Sequence, residues 1–139
     1  MSGGLPDLTS FFTRYETFAC EADALFERIR GQFPELVVCR EQCSSCCHAL
    51  FDLSLVEALY LNKAFFERIP EGPARAAILE AADAADRQSA RVKRKAFKDS
   101  QAGRESNEIL TEIAGLALRC PLLDENDRCL LYDARPITC

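Results

Sequence analysis

Apolar residues recur at every third or fourth position near the start of the chain, which is the spacing of a single helix face. This pattern predicts an amphipathic helix over about residues 8–31, which ends near Gly31 and Pro34. At about 100° per residue, Cys20 falls on the opposite, polar face, so we expect it to lie outside any cysteine site. The apolar face consists of Leu8, Phe11, Phe12, Tyr15, Phe18, Ala22, Leu25, Phe26 and Ile29.

Three further helices are predicted between the first and second groups of cysteines. Ser54 and Glu57 have the spacing of a capping box, and the apolar face that follows them ends at Pro70. Residues 74–99 are rich in alanine and charged side chains, with a narrow apolar seam. This composition predicts a long helix that buries little area and is open to contact with a partner. Ser106 is expected to cap a short fourth helix.

Charge and apolar content exclude several classes of partner. The formal net charge of -5 gives no general attraction to nucleic acid or to an anionic membrane. Residues 1–7 contain neither a basic region nor the apolar core of an export signal. No apolar run approaches the roughly 18 residues of a membrane span. We therefore expect a cytoplasmic protein whose partners include neither nucleic acid nor a membrane.

The eight cysteines are the unusual feature of the composition. A reducing cytoplasm disfavours structural disulfides, so a metal or cluster site becomes the leading interpretation. Gaps of two and three residues in the first group let one loop wrap several thiolates around a metal. In the second group, a turn predicted at residues 124–127 lets Cys120 and Cys129 face each other. The candidate ligands are Cys39, Cys43, Cys46, Cys47, Cys120, Cys129 and Cys139.

Positive side chains are expected around such a centre, because several thiolates on one metal carry excess negative charge. Three arginines adjoin a cysteine in the sequence, and a fourth lies four residues before Cys139. The single histidine, His48, follows the first cysteine group and is open to three roles: ligand, hydrogen-bond donor to a ligand, or bystander. The candidate arginines are Arg40, Arg119, Arg128 and Arg135.

Together these patterns predict an all-α fold, a small helical domain over residues 1–139. Two irregular cysteine-bearing loops, at about residues 37–52 and 119–139, are expected to converge on one metal centre. Seven candidate ligands exceed the four that one zinc ion or one 4Fe-4S cluster takes, so some are spare or two metals share thiolates. The inner set is predicted to be Cys43, Cys46 and Cys47 with Cys120 or Cys129.

Two functions stay open at this stage. One is an iron-sulfur protein that transfers electrons or assists a reaction on a partner. The other is a zinc-stabilised module whose helices bind a protein partner. The pair Cys120-Pro121 favours a 4Fe-4S cluster, because bacterial ferredoxins carry a similar Cys-Pro pair, but zinc is also bound by sites made only of thiolates.

Both cysteine groups, with the residues between them, resemble a known family. The motifs are Cys39-x3-Cys43-x2-Cys46-Cys47, Ser54-x2-Glu57-Ala58 and Cys120-Pro121-x-Leu123-x5-Cys129-x2-Tyr132-x2-Arg135-Pro136-x2-Cys139. They are similar to the bacterial CxxCxxCC cysteine-cluster proteins, the YkgJ-type zinc- or iron-chelating domains, although the first gap here is three residues where the family name implies two. The resemblance implies metal chelation, described for some members as iron-sulfur oxidoreductase chemistry. A related cluster in flagellin lysine methylase implies a methyltransferase-associated role as a further option.

Overall fold

The computed structural model describes residues 7–40 and 42–139, and these residues contain four α-helices and no β-strand. The all-α class predicted from the sequence is therefore confirmed. No helix in the described ranges is long and apolar enough to cross a membrane. The expectation that the first residues carry no export signal lies largely outside the described residues, which begin at Asp7. The helices are α1 (Thr9–Gln32), α2 (Leu55–Arg68), α3 (Pro73–Gln101) and α4 (Ser106–Ala114).

Helix α1 forms where the apolar spacing predicts it, but most of its apolar face is exposed. Its single buried residue is Tyr15, which packs against Tyr60 of α2 with ring centroids 5.0 Å apart. Phe12 meets the same ring edge-on at 5.8 Å. By contrast, Phe18 is 59% exposed and Leu25 is 49% exposed. One side of α1 therefore packs on α2, while the neighbouring apolar side has no cover from the described chain.

Helix α2 is the central element of the fold, and its start has the predicted capping box. The Ser54 Oγ accepts a hydrogen bond from the Glu57 N–H at 3.4 Å, and the Ser54 N–H donates to Glu57 Oε2 at 2.9 Å. The helix packs on α1 and on a 3-10 turn, Tyr132–Ala134, in the C-terminal segment. Leu131 and Ala134 are each only 1% exposed. The core thus lies where α1, α2 and the C-terminal segment meet.

Helices α3 and α4 pack against each other and bury little of their surface. None of the residues of α3 is buried, as its narrow seam predicts. The expectation that Ser106 caps α4 is wrong, because Glu105 occupies the N-cap position and Ser106 is the first helical residue. The Glu105 carbonyl already accepts the Ile109 N–H at 3.2 Å, so helical hydrogen bonding begins one residue earlier than expected.

Candidate metal centre

The first cysteine segment winds into a tight turn that presents two adjacent thiols. The Cys43 N–H donates to the Arg40 carbonyl at 2.8 Å, and a 3-10 turn follows over Ser45–His48. Within it the Cys47 N–H donates to the Ser44 carbonyl at 3.0 Å. The His48 Nδ1 lies within hydrogen-bond distance, 3.0 Å, of the same carbonyl.

The second cysteine segment is a short hairpin, and the turn predicted at residues 124–127 is confirmed. The Asp124 carboxylate accepts the backbone N–H groups of Asn126 at 2.8 Å and Arg128 at 2.9 Å. Asp127 adopts the left-handed conformation with φ of 58°, which aspartate tolerates better than most residues. Leu123 and Cys129 then pair across the hairpin as an isolated antiparallel bridge. Local side-chain chemistry thus folds this segment back on itself.

Backbone hydrogen bonds join the two cysteine segments directly. The Cys120 N–H donates to the Cys47 carbonyl at 2.7 Å, and the Leu118 N–H donates to the His48 carbonyl at 3.0 Å. The chain reaches this junction a third time at Cys139, whose carbonyl lies 3.5 Å from the Cys46 sulfur. Segments far apart in sequence are therefore held side by side at the cysteines.

Five thiols at this junction influence one another electrostatically, and we call them the five-thiol cluster. Burial, followed by the nearby Cys46 and Cys120 thiols, raises the pKa of Cys47 to about 12. Burial and the same two thiols raise the pKa of Cys139 to about 11. Without a bound cation, Cys47 and Cys139 are therefore neutral thiols at pH 7. The members are Cys46, Cys47, Cys120, Cys129 and Cys139.

Cys39 and Cys43 form a separate pair, and Cys20 is exposed on α1. The main interactions that lower the pKa of Cys43 are hydrogen bonds from the Ser45 N–H and hydroxyl, with smaller contributions from Arg40 and Cys39. Cys39 is exposed as well. Of the seven predicted ligands, the structure therefore brings five into mutual interaction and leaves these two at the edge.

The four candidate arginines differ in what they contact. Arg135 donates to the Tyr132 carbonyl at 3.1 Å, lies 4.2 Å over the Tyr132 ring and donates to Asp23 of α1 at 2.7 Å. Burial raises the pKa values of Cys129 and Cys139, and the positive charge of Arg135 partly offsets this effect.

The other three arginines interact with residues of the two cysteine loops. Arg119 pairs with Asp127 and partly offsets the increase that burial causes in the pKa of Cys120. Arg40 favours the thiolate of Cys43. Arg128 forms an ion pair with Asp124 at 3.0 Å, so its charge is neutralised within the hairpin.

Two side chains that the sequence did not assign to the site hold its C-terminal segment. Glu57 is 8% exposed, and its Oε1 lies 3.4 Å from both the Thr138 N–H and the Thr138 hydroxyl. Tyr15 is 7% exposed, and its hydroxyl lies beside the Ile137 backbone without a well-aligned hydrogen bond in the described part of the chain. The spacing of Glu57 identified a helix cap, but no local pattern reveals a contact with residue 138.

The donor chemistry of the five-thiol cluster fits a thiophilic metal. All eight cysteines are free thiols, and clustered thiolates favour zinc or an iron-sulfur cluster over oxygen-preferring cations. Within residues 7–40 and 42–139, however, no group of three or more His, Cys, Asp or Glu side chains is already arranged to hold a metal ion. Convergence of both segments on one metal centre therefore stays a prediction.

Comparison with known proteins assigns the chain to a family. Residues 38–139 match the model of the CxxCxxCC family, whose description is "Putative zinc- or iron-chelating domain". The matched range contains both cysteine segments, and the chain belongs to this family. No curated protein and no solved structure matches the chain. Helix α1, with Tyr15 and Asp23, lies outside the matched range.

Replacing Glu57 with glutamine should destabilise the fold by about 1–3 kcal/mol near pH 7, because an amide cannot accept all the hydrogen bonds that converge on this buried carboxylate. Burial alone would raise the pKa of Glu57, but hydrogen bonds from Ser54, Thr138 and Ile137 outweigh burial and lower it. The carboxylate therefore contributes fully to the free energy of unfolding at pH values above the pKa that Glu57 has in the unfolded chain. This contribution is lost as pH falls through the lower pKa that Glu57 has in the folded protein. Urea unfolding should be measured from about pH 3 to about pH 7. Toward acid pH, the free energy of unfolding should fall less in the variant than in the native protein.

Replacing Tyr15 with phenylalanine should change stability by less than about 1 kcal/mol, since it removes a buried hydroxyl that lies beside the Ile137 backbone without a well-aligned hydrogen bond. Tyr60→Phe is the matched control, because the Tyr60 hydroxyl donates to Glu16 at 2.9 Å. That change should cost about 0.5–1.5 kcal/mol. Urea unfolding of both variants gives the comparison, and a larger loss for Tyr15→Phe than for Tyr60→Phe would contradict this view of Tyr15.

Proposed function

We propose that the chain binds a 4Fe-4S cluster through thiolates of the five-thiol cluster and works as a redox or accessory protein. The observation that carries this proposal is the backbone junction between Cys47 and Cys120, which aligns cysteines of both segments. Membership of a zinc- or iron-chelating family supports metal binding of this kind. The Cys120-Pro121 pair favours iron over zinc.

The proposed ligands are Cys46, Cys47, Cys120 and Cys129, and Cys139 is a fifth thiol beside them. This set differs from the inner set expected from spacing, and it leaves out Cys43 because the largest interactions of that thiol are with Ser45. Binding releases the thiol protons. The bound group would supply one-electron transfer, and a reducing compartment such as the cytoplasm would keep the ligands as thiols.

The chain's own residues would tune such a centre in two ways. Arg135 places positive charge beside Cys129 and Cys139 and is itself held by Asp23. Backbone N–H groups of Leu122 and Leu131 lie close enough to Cys120 and Cys129 to lower their pKa values against the larger effect of burial. Both contributions favour thiolate over thiol and so favour metal binding.

A zinc-stabilised interaction module is the second candidate function. The observation that favours it is the exposed apolar side of α1, where Phe11 is 57% and Phe18 is 59% exposed. In that case the metal would supply folding free energy, and the helices would supply the contact surface. A methyltransferase-associated role has no specific support in the described residues.

Anaerobic purification, followed by metal analysis, sulfide analysis and an absorption spectrum, tests the proposal. A 4Fe-4S cluster should give about four iron atoms and four sulfides per chain, with visible absorption that bleaches on reduction. Stoichiometric zinc without visible absorption would support the interaction module instead. A chain that binds neither metal, even after anaerobic reconstitution with iron and sulfide or with zinc, would contradict both.

A further inference from the structure

Four apolar residues form a continuous exposed strip along α1, which we call the α1 strip. At about 100° per residue, they fall within a sector of about 40° that extends along the helix for about 27 Å. Their exposed fractions range from 40% to 59%. Half-buried Ala22 lies between them on the same side. The strip consists of Phe11, Phe18, Leu25 and Ile29.

The spacing of the strip is that of a helix that pairs with another helix. Phe11, Phe18 and Leu25 are separated by seven residues, and Ala22 and Ile29 occupy the alternate positions. This alternation of four and three residues is the seam of a coiled coil. Tyr15, which comes between Phe11 and Phe18 in the same series, is already packed on α2, so the longest unpaired part of the seam runs from Phe18 to Ile29.

The strip exposes apolar side-chain area that a second helix packed on it would bury. Taking about 200 Å² for a phenylalanine side chain, Phe11 and Phe18 alone leave roughly 200 Å² of apolar surface in water. The whole chain exposes 10458 Å², whereas a compact monomer of 15.5 kDa should expose about 7,200 Å². This excess of roughly 3,000 Å² is distributed over the whole chain, α3 and the loops included, and the strip accounts for part of it.

Charges beside the strip are complementary to a second, antiparallel copy of it. Arg14, Glu21 and Arg28 line one edge, are exposed, and form no ion pair with any other described residue. If two copies pair antiparallel about a point between Ala22 and Leu25, Glu21 of each copy faces Arg28 of the partner subunit. A parallel pair would instead place these charges opposite Phe26 or Phe33, because charged positions then face the other edge of the seam.

We propose that the α1 strip binds a second copy of this chain and forms an antiparallel homodimer. Phe18, Ala22, Leu25 and Ile29 form its apolar seam, and two symmetric Glu21–Arg28 pairs flank them. The C-terminal segment contacts α1 at Asp23, about 140° around the helix from Phe18, and at Tyr15, which precedes the seam. The cysteine segments therefore lie beside this seam. The dimer is therefore independent of the metal proposed above.

Sedimentation equilibrium of the full, metal-loaded chain tests the proposal. The native chain should show a reversible monomer–dimer equilibrium. Leu25→Glu places a charge in the seam of both copies and should raise the dimer Kd at least about 100-fold. The matched control Ala24→Glu adds the same charge to the neighbouring, exposed residue and should change Kd by less than about threefold. Circular dichroism and metal content should remain native in both variants.

A charge-reversal series tests the orientation. Glu21→Arg and Arg28→Glu alone should each raise Kd about fivefold, and the double variant should restore the native value. A native chain that is still monomeric at about 1 mM would overturn the dimer. So would a dimer that Leu25→Glu and Ala24→Glu weaken equally. Failure of the series to show rescue would overturn the antiparallel pairing. In each case, unchanged metal content leaves the proposed function standing.

Discussion

Removing the metal should lower the midpoint of thermal unfolding by more than about 10 °C. A metal that binds only the folded arrangement stabilises it by mass action, and structural zinc sites have apparent binding free energies of roughly 10–16 kcal/mol. A loss of even several kcal/mol shifts the midpoint of a domain of this size by this amount. The first cysteine segment depends most on it, because none of the described residues in 39–49 is buried, whereas the second contains buried Leu123, Leu131 and Ala134.

Hydrogen exchange with and without a strong chelator, under reducing conditions, should show where the loss occurs. The cysteine loop at residues 39–49 should lose protection first, and the more buried residues 131–134 of the second segment should lose it later. Helix α2 should keep its protection longest, because its capping box and its buried Phe65 do not involve the metal. The metal-free form should therefore be partly ordered. If chelation removes the metal but leaves the melting temperature and loop protection unchanged, the centre has no structural role.

Replacing Cys46 or Cys120 with serine should remove most of the bound metal, because each change deletes a thiolate from the junction of the two segments. A hydroxyl is a poor ligand for a thiophilic metal. We expect metal content at equal protein concentration to fall at least about tenfold. Replacing a residue that only supports a ligand already lowers metal affinity by about 10- to 100-fold. Metal analysis after dialysis against a weak chelator provides the measurement.

Cys20→Ser and Cys43→Ser are the controls that separate the alternatives. Cys20 is exposed on α1, so its replacement should leave metal content unchanged. Cys43→Ser should also retain the metal if the five-thiol cluster is the ligand set. Cys43→Ser should lose the metal if Cys43 is itself a ligand, as the short spacing of the first segment predicts. Equal losses in Cys20→Ser, Cys46→Ser and Cys120→Ser would contradict the assignment altogether.

Local patterns in the sequence predicted most of the secondary structure, because helix faces, caps and turns depend on neighbouring residues. The capping box at Ser54 and the turn at Asp124 are examples in which a side chain binds backbone atoms two to four residues away. The same patterns did not reveal which side of α1 is covered. Packing partners decide that, and Phe18 and Leu25 belong to the predicted apolar face yet remain exposed.

Long-range contacts account for the features of the site that the sequence did not reveal. Glu57 and Thr138 are 81 positions apart, and Arg135 and Asp23 are 112 positions apart. Neither pair has a spacing that indicates contact. Arg135 was a candidate because it lies near Cys139 in the sequence, but its anchor on α1 became visible only in the fold. The seven cysteines could be named as candidates from spacing, whereas their division into five and two required the structure.

X-ray absorption at the metal edge, on the native chain and on two double variants, tests most directly whether both segments share one centre. The native protein should show four sulfur neighbours at about 2.3 Å from the metal. Cys46→Ser with Cys47→Ser, and separately Cys120→Ser with Cys129→Ser, should each reduce metal occupancy and the sulfur count of the metal that remains. Native occupancy and an unchanged sulfur shell in either double variant would show that one segment binds the metal alone, and this would contradict the shared centre.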